Sequence, residues 1–206
     1  MAAEPLAAQI QALTAELTHR CGNLLAQVQA IADLTLRHTA SPEDFAAAFT
    51  GRLQAMTRAH QLLARAGWAD IDLGEVAADA LGPFIGPRRR VRLDGPPMRL
   101  GPEPACALHM AFHELGANAA SHGALAVETG RVELVWRADL VSRVLRLTWR
   151  EFGGPPPSAS RRNGFGTRLL TSGVARGLGG DSRLDFRPGG FLYGLTAPLS
   201  DGLACG

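Results

Sequence analysis

A carboxylate and a carboxamide stand four residues apart in the segment 113–125, which reads HELGANAASHGAL. On a helix this spacing puts Glu114 and Asn118 one above the other on the same face. Carboxylate and carboxamide oxygens suit Mg²⁺, which keeps most of its water ligands and bridges to nucleotide phosphates. The pair therefore predicts a magnesium and phosphate site, although a polar stripe on a surface helix has the same spacing.

A histidine near the start of the chain is the second candidate for chemistry. His19 comes two residues after the apolar position Leu17, so on a helix it points well away from the apolar seam, and Asn23 falls on its face. An exposed imidazole on a rigid helix is a reachable nucleophile. A histidine considered alone is usually an ordinary surface residue.

Glycines mark two further segments. Glu151 ends an alternating strand pattern and is followed by Gly153 and Gly154, which alone indicate a strand end with a Gly-Pro turn. Gly164 and Gly166 precede an expected helix, and backbone amides at a helix start bind phosphate oxygens with help from the helix dipole. A single Gly-x-Gly pair is a weak signal, and a hinge is the alternative.

The element that must carry His19 is a predicted helical hairpin over residues 6–66. In its first arm apolar residues recur every seven positions, as in a coiled-coil seam. Its second arm begins at Ser41, a good N-cap, and ends near Gly67. Two helices cannot bury both apolar stripes alone, so we expect a homodimer whose two hairpins form a four-helix bundle. Packing of Trp68 and the C-terminal domain onto the hairpin is the alternative. The expected stripe of the second arm is Phe45, Phe49, Leu53, Met56, His60 and Leu63.

The remaining chain, from about residue 70 to 200, alternates strand and helix patterns. It predicts short strands around Ile71, Val91 and Met98, a helix over 102–122, and longer strands over 131–138 and 144–151. A helix follows from about 166 to 176, and two final strands meet at a Pro-Gly-Gly turn. We expect one open sheet with helices on one face. The run Arg88–Arg90 is interpreted as a solvated turn without a role.

Composition narrows the class of function. The chain has 206 residues and a formal net charge of +2, so no strong attraction to nucleic acid is expected. All 21 basic residues are arginine, which excludes a P-loop lysine and a Schiff-base lysine. Phosphate contacts must therefore come from arginine, backbone amides, hydroxyls or a metal ion.

Cysteine usage and hydropathy predict the cellular compartment of the protein. Cys21, Cys106 and Cys205 form neither a zinc spacing nor a disulfide framework, so they are interpreted as reduced thiols in a cytoplasmic protein. The N-terminus lacks the basic start and unbroken apolar run of a signal peptide. No segment predicts a membrane span in this chain, so any membrane sensor is expected elsewhere.

Together these segments closely resemble the HWE family of sensor histidine kinases, in order and in spacing. The family takes its name from a histidine in the asparagine-bearing box and from a Trp-x-Glu motif, here His113, Trp149 and Glu151. The resemblance runs from about Glu16 to Leu199. It implies an α+β protein with a dimerisation and phosphoacceptor hairpin over 1–67 and a catalytic ATP-binding domain over 68–206. This second domain would be an α/β sandwich of the Bergerat type.

The resemblance also implies roles for the residues above. His19 would be the phosphoacceptor, with Glu114 catalytic and Asn118 holding Mg²⁺. Glu151 would accept a hydrogen bond from the adenine amino group of ATP. The other nucleotide-binding residues would be Gly153 and Gly154 against the adenine ring, and Gly164, Gly166 and Thr167 at the phosphates, with residues 155–163 as a lid.

Partners follow from the same resemblance. A response-regulator receiver domain would take the phosphoryl group from His19, and a sensor would be a separate chain or an upstream domain. Family members often carry a basic residue where Ser121 and His122 stand, which removes a cation from the phosphate region. A histidine phosphotransfer protein with a degenerate ATP-binding domain is therefore one alternative. A plain ATPase or a protein-serine kinase on the same fold is another. The general base for His19 stays open, with Glu16 as one candidate.

Overall fold

The computed structural model divides into two compact units, Met1–Leu53 and Gln54–Gly206. The boundary between these units lies before the domain boundary that the sequence predicts after residue 67, and that functional boundary stays a prediction. The residues that the structure describes are 3–86, 88, 90–156, 165–187, 189–200 and 203–205.

The first unit contains helix α1 (Ala3–Leu36) and the beginning of helix α2 (Pro42–Arg65), as the hairpin pattern predicts. A buried polar contact joins them, because Arg52 donates from Nη1 to the hydroxyl of Thr35 at 3.0 Å. Thr35 in turn donates to the Ile31 carbonyl at 2.5 Å, so its buried hydroxyl is satisfied on both sides.

Both ends of α2 follow the predicted signals. The hydroxyl of Ser41 accepts the Asp44 amide at 3.1 Å as an N-cap, and Pro42 occupies the first position of the helix. Gly67 and then Trp68 adopt φ of 64° and 58°, which stops the helix.

The predicted apolar stripe of α2 is only partly confirmed in its second half, where Leu63 is buried as predicted but Met56 and His60 are not. The face that the structure buries there consists of Ala55, Ala59, Leu62 and Leu63, whereas Met56 and His60 are only half-buried. Alanine has little side chain, so it lets a neighbouring element approach closely and becomes buried where larger residues stay at the edge of the contact.

The second unit contains the rest of α2 and, after it, strands that alternate with further helical segments. In chain order the elements after α2 are β1 (Ile71–Asp72), α3 (Leu73–Ile85), β2 (Val91–Asp94), β3 (Met98–Leu100), α4 (Pro102–His122), β4 (Arg131–Asp139), β5 (Val144–Phe152), α5 (Phe165–Arg168), α6 (Ala175–Gly177), β6 (Asp181–Arg187), β7 (Gly190–Pro198) and β8 (Leu203–Cys205). A 3₁₀ turn, Ala124–Ala126, follows α4, and a π-helical segment, Leu169–Val174, joins α5 to α6. These bounds confirm the predicted elements to within a few residues.

The described strands form two sheets where the sequence predicts one. The main sheet has the order β2-β4-β5-β7-β6, with β2 parallel to β4 and the other pairs antiparallel. A small antiparallel sheet has the order β1-β3-β8. The sequence analysis missed β8 because three residues are too few to show an alternating pattern.

One face of the main sheet and the helices enclose the core. Alternate residues of the strands point to this face, so Leu134, Trp149 and Tyr193 are each almost fully buried. They belong to one apolar cluster with residues of α3 and α4, such as Leu81 and Phe112. No helix in the described part of the chain combines the length and the apolar composition that a bilayer crossing needs.

Candidate functional site

The structure brings Glu114, Asn118 and Gly166 together. Glu114 lies in the third quarter of α4 and is only 6% exposed, whereas Asn118, one turn later, is exposed. A Cβ atom at Gly166 would lie 2.9 Å from Nδ2 of Asn118 and 2.9 Å from Oε1 of Glu114. The backbone at the start of α5 therefore lies directly against the two side chains, at a distance that only glycine permits.

The segment predicted to bind phosphate is described only from Phe165 onwards. Gly166 and Thr167 lie in the first turn of α5, and the Thr167 carbonyl accepts the hydroxyl of Thr171 at 2.7 Å. Gly164 and residues 157–163 of the predicted lid lie outside the described residues, so their predicted roles stay predictions.

Within the described part of the chain, the Ala124 amide and the Trp149 indole both donate to the carboxylate of Glu151. Oε2 accepts the Ala124 amide at 2.8 Å, and Oε1 accepts the indole N–H of Trp149 at 3.2 Å. Glu151 is 7% exposed, so both hydrogen bonds lie away from bulk water. The bond from Ala124 ties the end of β5 to the turn that follows α4, and the bond from Trp149 lies within β5.

Neither donor to Glu151 follows from the sequence analysis. Trp149 is completely buried in the core, and its hydrogen bond to Glu151 was not predicted. A spacing of two residues along a strand puts Trp149 and Glu151 on the same face, and this was the available signal. Ala124 contributes a backbone amide, for which a sequence carries no side-chain signal.

Glycines form the walls around the Glu151 carboxylate. A Cβ atom at Gly123 would lie 2.0 Å from Oε2 of Glu151, and one at Gly154 would lie 2.7 Å from Cα of Ala124. Gly153 adopts φ of 68°, a conformation that other residues rarely take. Gly153 and Gly154 thus let the strand end pass close to the turn after α4. Their predicted contact with adenine stays a prediction.

His19 and Asn23 are both exposed on α1 in the first unit. This agrees with a histidine that a reactant can reach, although exposure alone does not identify a phosphoacceptor. The side chain of Glu16 lies outside the described residues, so its predicted role as a base stays open.

His113 contacts two other helices. Its Nδ1 lies 3.2 Å from Nη2 of Arg58 on α2, and its ring packs at 5.3 Å against Phe84 of α3. Phe84 also lies over Gly116, where a Cβ atom would come within 2.4 Å of the phenyl ring. His113 therefore helps to join α4 to α2 and α3, which the sequence analysis did not predict.

One turn earlier on α4, His109 is completely buried. Its Nε2 lies 3.0 Å from Oδ2 of Asp79, which Arg65 approaches at 3.4 Å. Burial lowers the pKa of His109 despite this neighbouring carboxylate, because the charged imidazolium would lose its hydration. His109 is thus a neutral donor to Asp79.

The second unit has the Bergerat-type fold of the catalytic domains of histidine kinases. The histidine kinase domain of a blue-light-activated histidine kinase from Erythrobacter litoralis has a TM-score of 0.60 and 20% identity, over 75% of this chain and 76% of that one. A longer structure from the same organism has a TM-score of 0.63 and 17% identity, over 88% of this chain and 59% of that one. Likeness at these identities shows the fold alone.

The sequence comparisons then give the family. Residues 16–97 match the model of the HWE histidine kinase family. The blue-light-activated histidine kinase of Brucella ovis is 35% identical over 188 residues, which are 90% of this chain and 38% of that protein. The corresponding protein of Brucella anthropi is 33% identical over 91% of this chain and 39% of its own length. This chain belongs to the HWE family of histidine kinases, and it spans less than half the length of these relatives.

Proposed function

We propose that this chain is the kinase core of a two-component signalling system, which uses ATP to phosphorylate His19. One observation carries the proposal. Glu114, Asn118 and the glycine backbone at Gly166 lie together, in the order and types of residue that the HWE resemblance requires. The phosphoryl group would then pass to an aspartate of a response-regulator receiver domain.

Glu151 recognises the adenine of the substrate in this proposal. The hydrogen bonds from the Ala124 amide and the Trp149 indole hold the carboxylate in one orientation. We expect the carboxylate in that orientation to accept a hydrogen bond from the exocyclic amino group of adenine. Because Glu151 is already oriented, little conformational entropy is lost when adenine binds.

The residues present fit a magnesium ion at the phosphates. Asn118 would hold it through the amide oxygen, since the amide nitrogen faces Gly166, and Glu114 would contact it through water. When bound, Mg²⁺ supplies positive charge that offsets the charge of the transferring phosphoryl group. The backbone at Gly166 has no side chain in the way, so it can lie close to phosphate oxygens.

His19 supplies the nucleophile. A ring nitrogen of the imidazole forms a bond to the γ-phosphorus as the bond from that phosphorus to the ADP oxygen breaks, and the ring gives up a proton. The chain contributes mainly by positioning and by charge, because phosphoryl transfer needs little other covalent chemistry from a protein.

We also propose a homodimer through the hairpin. Several large apolar side chains of α1 are exposed in the single chain, among them Ile10 at 56%, Leu17 at 62% and Leu25 at 70%. Burying them against a second copy would stabilise the pair by roughly 25 cal/mol per Å² of apolar surface, offset by the entropy of association. ATP as the phosphoryl donor and unpaired thiols at Cys21 and Cys106 support a cytoplasmic location.

The test is incubation of the purified chain with γ-labelled ATP and Mg²⁺. We expect label that acid removes and base leaves in place, as a phosphoramidate on histidine requires. His19→Ala should abolish labelling and still bind a fluorescent ATP analogue. His38→Ala is the matched control, since His38 is also exposed in the first unit, and it should label like the parent. Label retained on His19→Ala would overturn the assignment of His19.

The same purified protein also distinguishes the proposed kinase from the other classes of function. A parent chain that binds no nucleotide but accepts phosphoryl groups from a phosphorylated receiver domain would be a phosphotransfer protein. A parent chain that releases phosphate from ATP without becoming labelled would be a plain ATPase. Label that survives acid would indicate a serine or threonine acceptor.

A further inference from the structure

Arg90 binds three backbone carbonyl groups. Its Nη1 donates to the carbonyls of Val127 and Gly130, the latter at 3.4 Å, and its Nη2 donates to the carbonyl of Leu125 at 3.1 Å. The expectation that Arg88–Arg90 forms a solvated turn without a role is therefore wrong at Arg90, which is half-buried. Arg89 lies outside the described residues.

The three carbonyls belong to one loop, residues 124–130, which runs from the 3₁₀ turn to the start of β4. The loop closes tightly on itself, because a Cβ atom at Gly130 would lie 1.8 Å from the carbonyl oxygen of Ala124. The main chain of Arg90 takes part as well, since its carbonyl accepts the Val132 amide at 2.9 Å. Arg90 thus holds the loop through its side chain and the following strand through its backbone.

The first residue of this loop carries one of the two donors to Glu151. Ala124 can give its amide to Oε2 of Glu151 at 2.8 Å only while the loop keeps its shape. Within the loop itself the backbone contributes few bonds, such as that from the Gly130 amide to the Val127 carbonyl at 3.3 Å. The guanidinium of Arg90 is therefore a major constraint on the direction of the Ala124 N–H.

We propose that Arg90 is a positioning residue for adenine recognition, because it fixes the loop 124–130 and thereby the Ala124 amide that orients Glu151. The inference rests on the proposed role of Glu151 at adenine and extends it to a residue that never touches the nucleotide. A planar guanidinium is required, since its two terminal nitrogens reach carbonyls in different directions, whereas a lysine ammonium is a single point charge.

Arg88 provides a matched control two residues away. Its guanidinium is exposed and pairs at 3.3 Å with Glu128, whose side chain is 82% exposed. An ion pair of this kind contributes little to stability or shape. Arg88→Gln and Arg90→Gln therefore remove the same charge from the same segment, but only the second releases the loop.

The experiment measures binding of ADP and of GDP by calorimetry for the parent, Arg88→Gln, Arg90→Gln and Arg90→Lys. We expect Arg90→Gln to weaken ADP binding roughly tenfold, the cost of about one misplaced hydrogen bond, and to lower the preference for ADP over GDP. The ADP affinity of Arg90→Lys should lie between those of Arg90→Gln and the parent. Arg88→Gln should bind ADP with the affinity and preference of the parent. With saturating ATP, the autophosphorylation rate of Arg90→Gln should approach that of the parent, while KM rises.

A double-mutant cycle separates this role from a general loss of stability. In the Glu151→Ala background, Arg90→Gln should cause no further loss of ADP affinity or base preference, because it acts through Glu151. An equal loss in both backgrounds would overturn the inference, as would Arg90→Gln binding ADP with the parent's affinity and preference. If Arg90→Gln does not fold, the same cycle with Arg90→Lys decides in the same way.

Failure of the proposed function gives a different result. A parent that binds no ADP, or a Glu151→Ala variant that binds it as tightly as the parent, would overturn the role of Glu151 and the inference on Arg90 together. A parent and Glu151→Ala that behave as proposed, with Arg90→Gln unchanged, would overturn the inference on Arg90 alone.

Discussion

The indole N–H of Trp149 donates to Oε1 of Glu151 at 3.2 Å, so the two residues of the Trp-x-Glu motif are in direct contact. Both are buried at the end of β5, and they point to the same side of the sheet. The tryptophan therefore has two roles: its ring fills the core, and its N–H orients the carboxylate that we assign to adenine.

Trp149→Phe should weaken nucleotide binding as well as stability. The substitution keeps a buried aromatic ring but removes the donor to Glu151, a hydrogen bond to a charged group worth about 1.5–3 kcal/mol. We expect a lower midpoint of thermal unfolding and roughly three- to tenfold weaker binding of ADP in a calorimetric titration.

Trp136→Phe is the control for this experiment. Trp136 is 4% exposed in the same core, and its indole N–H donates at 2.8 Å to the Pro96 carbonyl, away from Glu151. It should lose stability to a similar extent and keep the ADP affinity of the parent. Equal loss of affinity in both variants would show that general loosening of the core, and not the contact with Glu151, is responsible.

Gly166→Ala should slow autophosphorylation strongly. The added methyl group would lie 2.9 Å from both Glu114 and Asn118, so these side chains or the start of α5 must move. Misplacement of catalytic groups by about 1 Å costs on the order of 100-fold in rate. The measurement is the initial rate of labelling at saturating ATP.

Gly177→Ala tests whether any alanine in this helical region has the same effect. A Cβ atom at Gly177 would meet nothing within 4 Å, so the variant should label at the parent rate. If Gly166→Ala also labels at the parent rate, the backbone at Gly166 does not have to lie close to the reacting groups, and the proposed phosphate contact is wrong.

Contacts in this site could be predicted from the sequence where the two residues are near each other in the chain, and not where they are far apart. The pairing of Glu114 with Asn118 is local, because the period of a helix fixes it, and the sequence analysis predicted it correctly. The approach of Gly166 to that pair joins segments far apart in the chain, and the sequence supports it only through resemblance. The contacts of Arg90 were not predicted, because a run of arginines is usually solvated. Nothing in the neighbouring sequence shows that one of these arginines binds three backbone carbonyls.

In the fold, too, local features could be predicted and tertiary contacts could not. Strands β4 and β5 were predicted to within a residue, because nine alternating positions leave little ambiguity. The π-helical segment Leu169–Val174 was not predicted, since its composition does not differ from that of an α-helix. Its carbonyl at Leu170 accepts the buried hydroxyl of Tyr193 at 3.3 Å, a tertiary contact that sequence periodicity cannot show.

Asn118→Asp should change the dependence on Mg²⁺ more than it changes recognition of adenosine. The new carboxylate would stand one helical turn from Glu114 and beside the proposed triphosphate. Its negative charge would repel both groups, and only the metal ion would offset that repulsion. We expect ADP to bind more weakly without Mg²⁺, a wider gap between titrations with and without the metal, and unchanged binding of adenosine.

Gln61→Glu makes the same amide-to-acid change at an exposed position of α2 and should leave all three titrations unchanged. A parallel loss of adenosine binding in Asn118→Asp would place Asn118 at the base instead of at the phosphates. Titrations of Asn118→Asp that match the parent with and without Mg²⁺ would remove Asn118 from the metal site.

His109 should make the stability of the second unit fall in mild acid. In the folded chain burial lowers the pKa of His109, whereas in the unfolded chain histidine has its ordinary pKa of about 6.5. Below about pH 6.5 the unfolded chain therefore binds a proton that the folded chain does not, and the free energy of unfolding decreases by up to about 1.4 kcal/mol per pH unit. The charged groups around the ring that share in this balance are Asp79, Arg58 and His60.

Denaturant unfolding of the parent and of His109→Gln between pH 5 and pH 7.5 measures this contribution. Glutamine retains an N–H donor for Asp79 but does not titrate, so the variant should be less stable than the parent at pH 7.5 and should lose less stability on acidification. His38→Ala, at an exposed histidine, should follow the parent throughout. Parallel profiles for the parent and His109→Gln would mean that His109 binds its proton equally well in the folded and unfolded chains, and that Asp79 fully compensates for its burial.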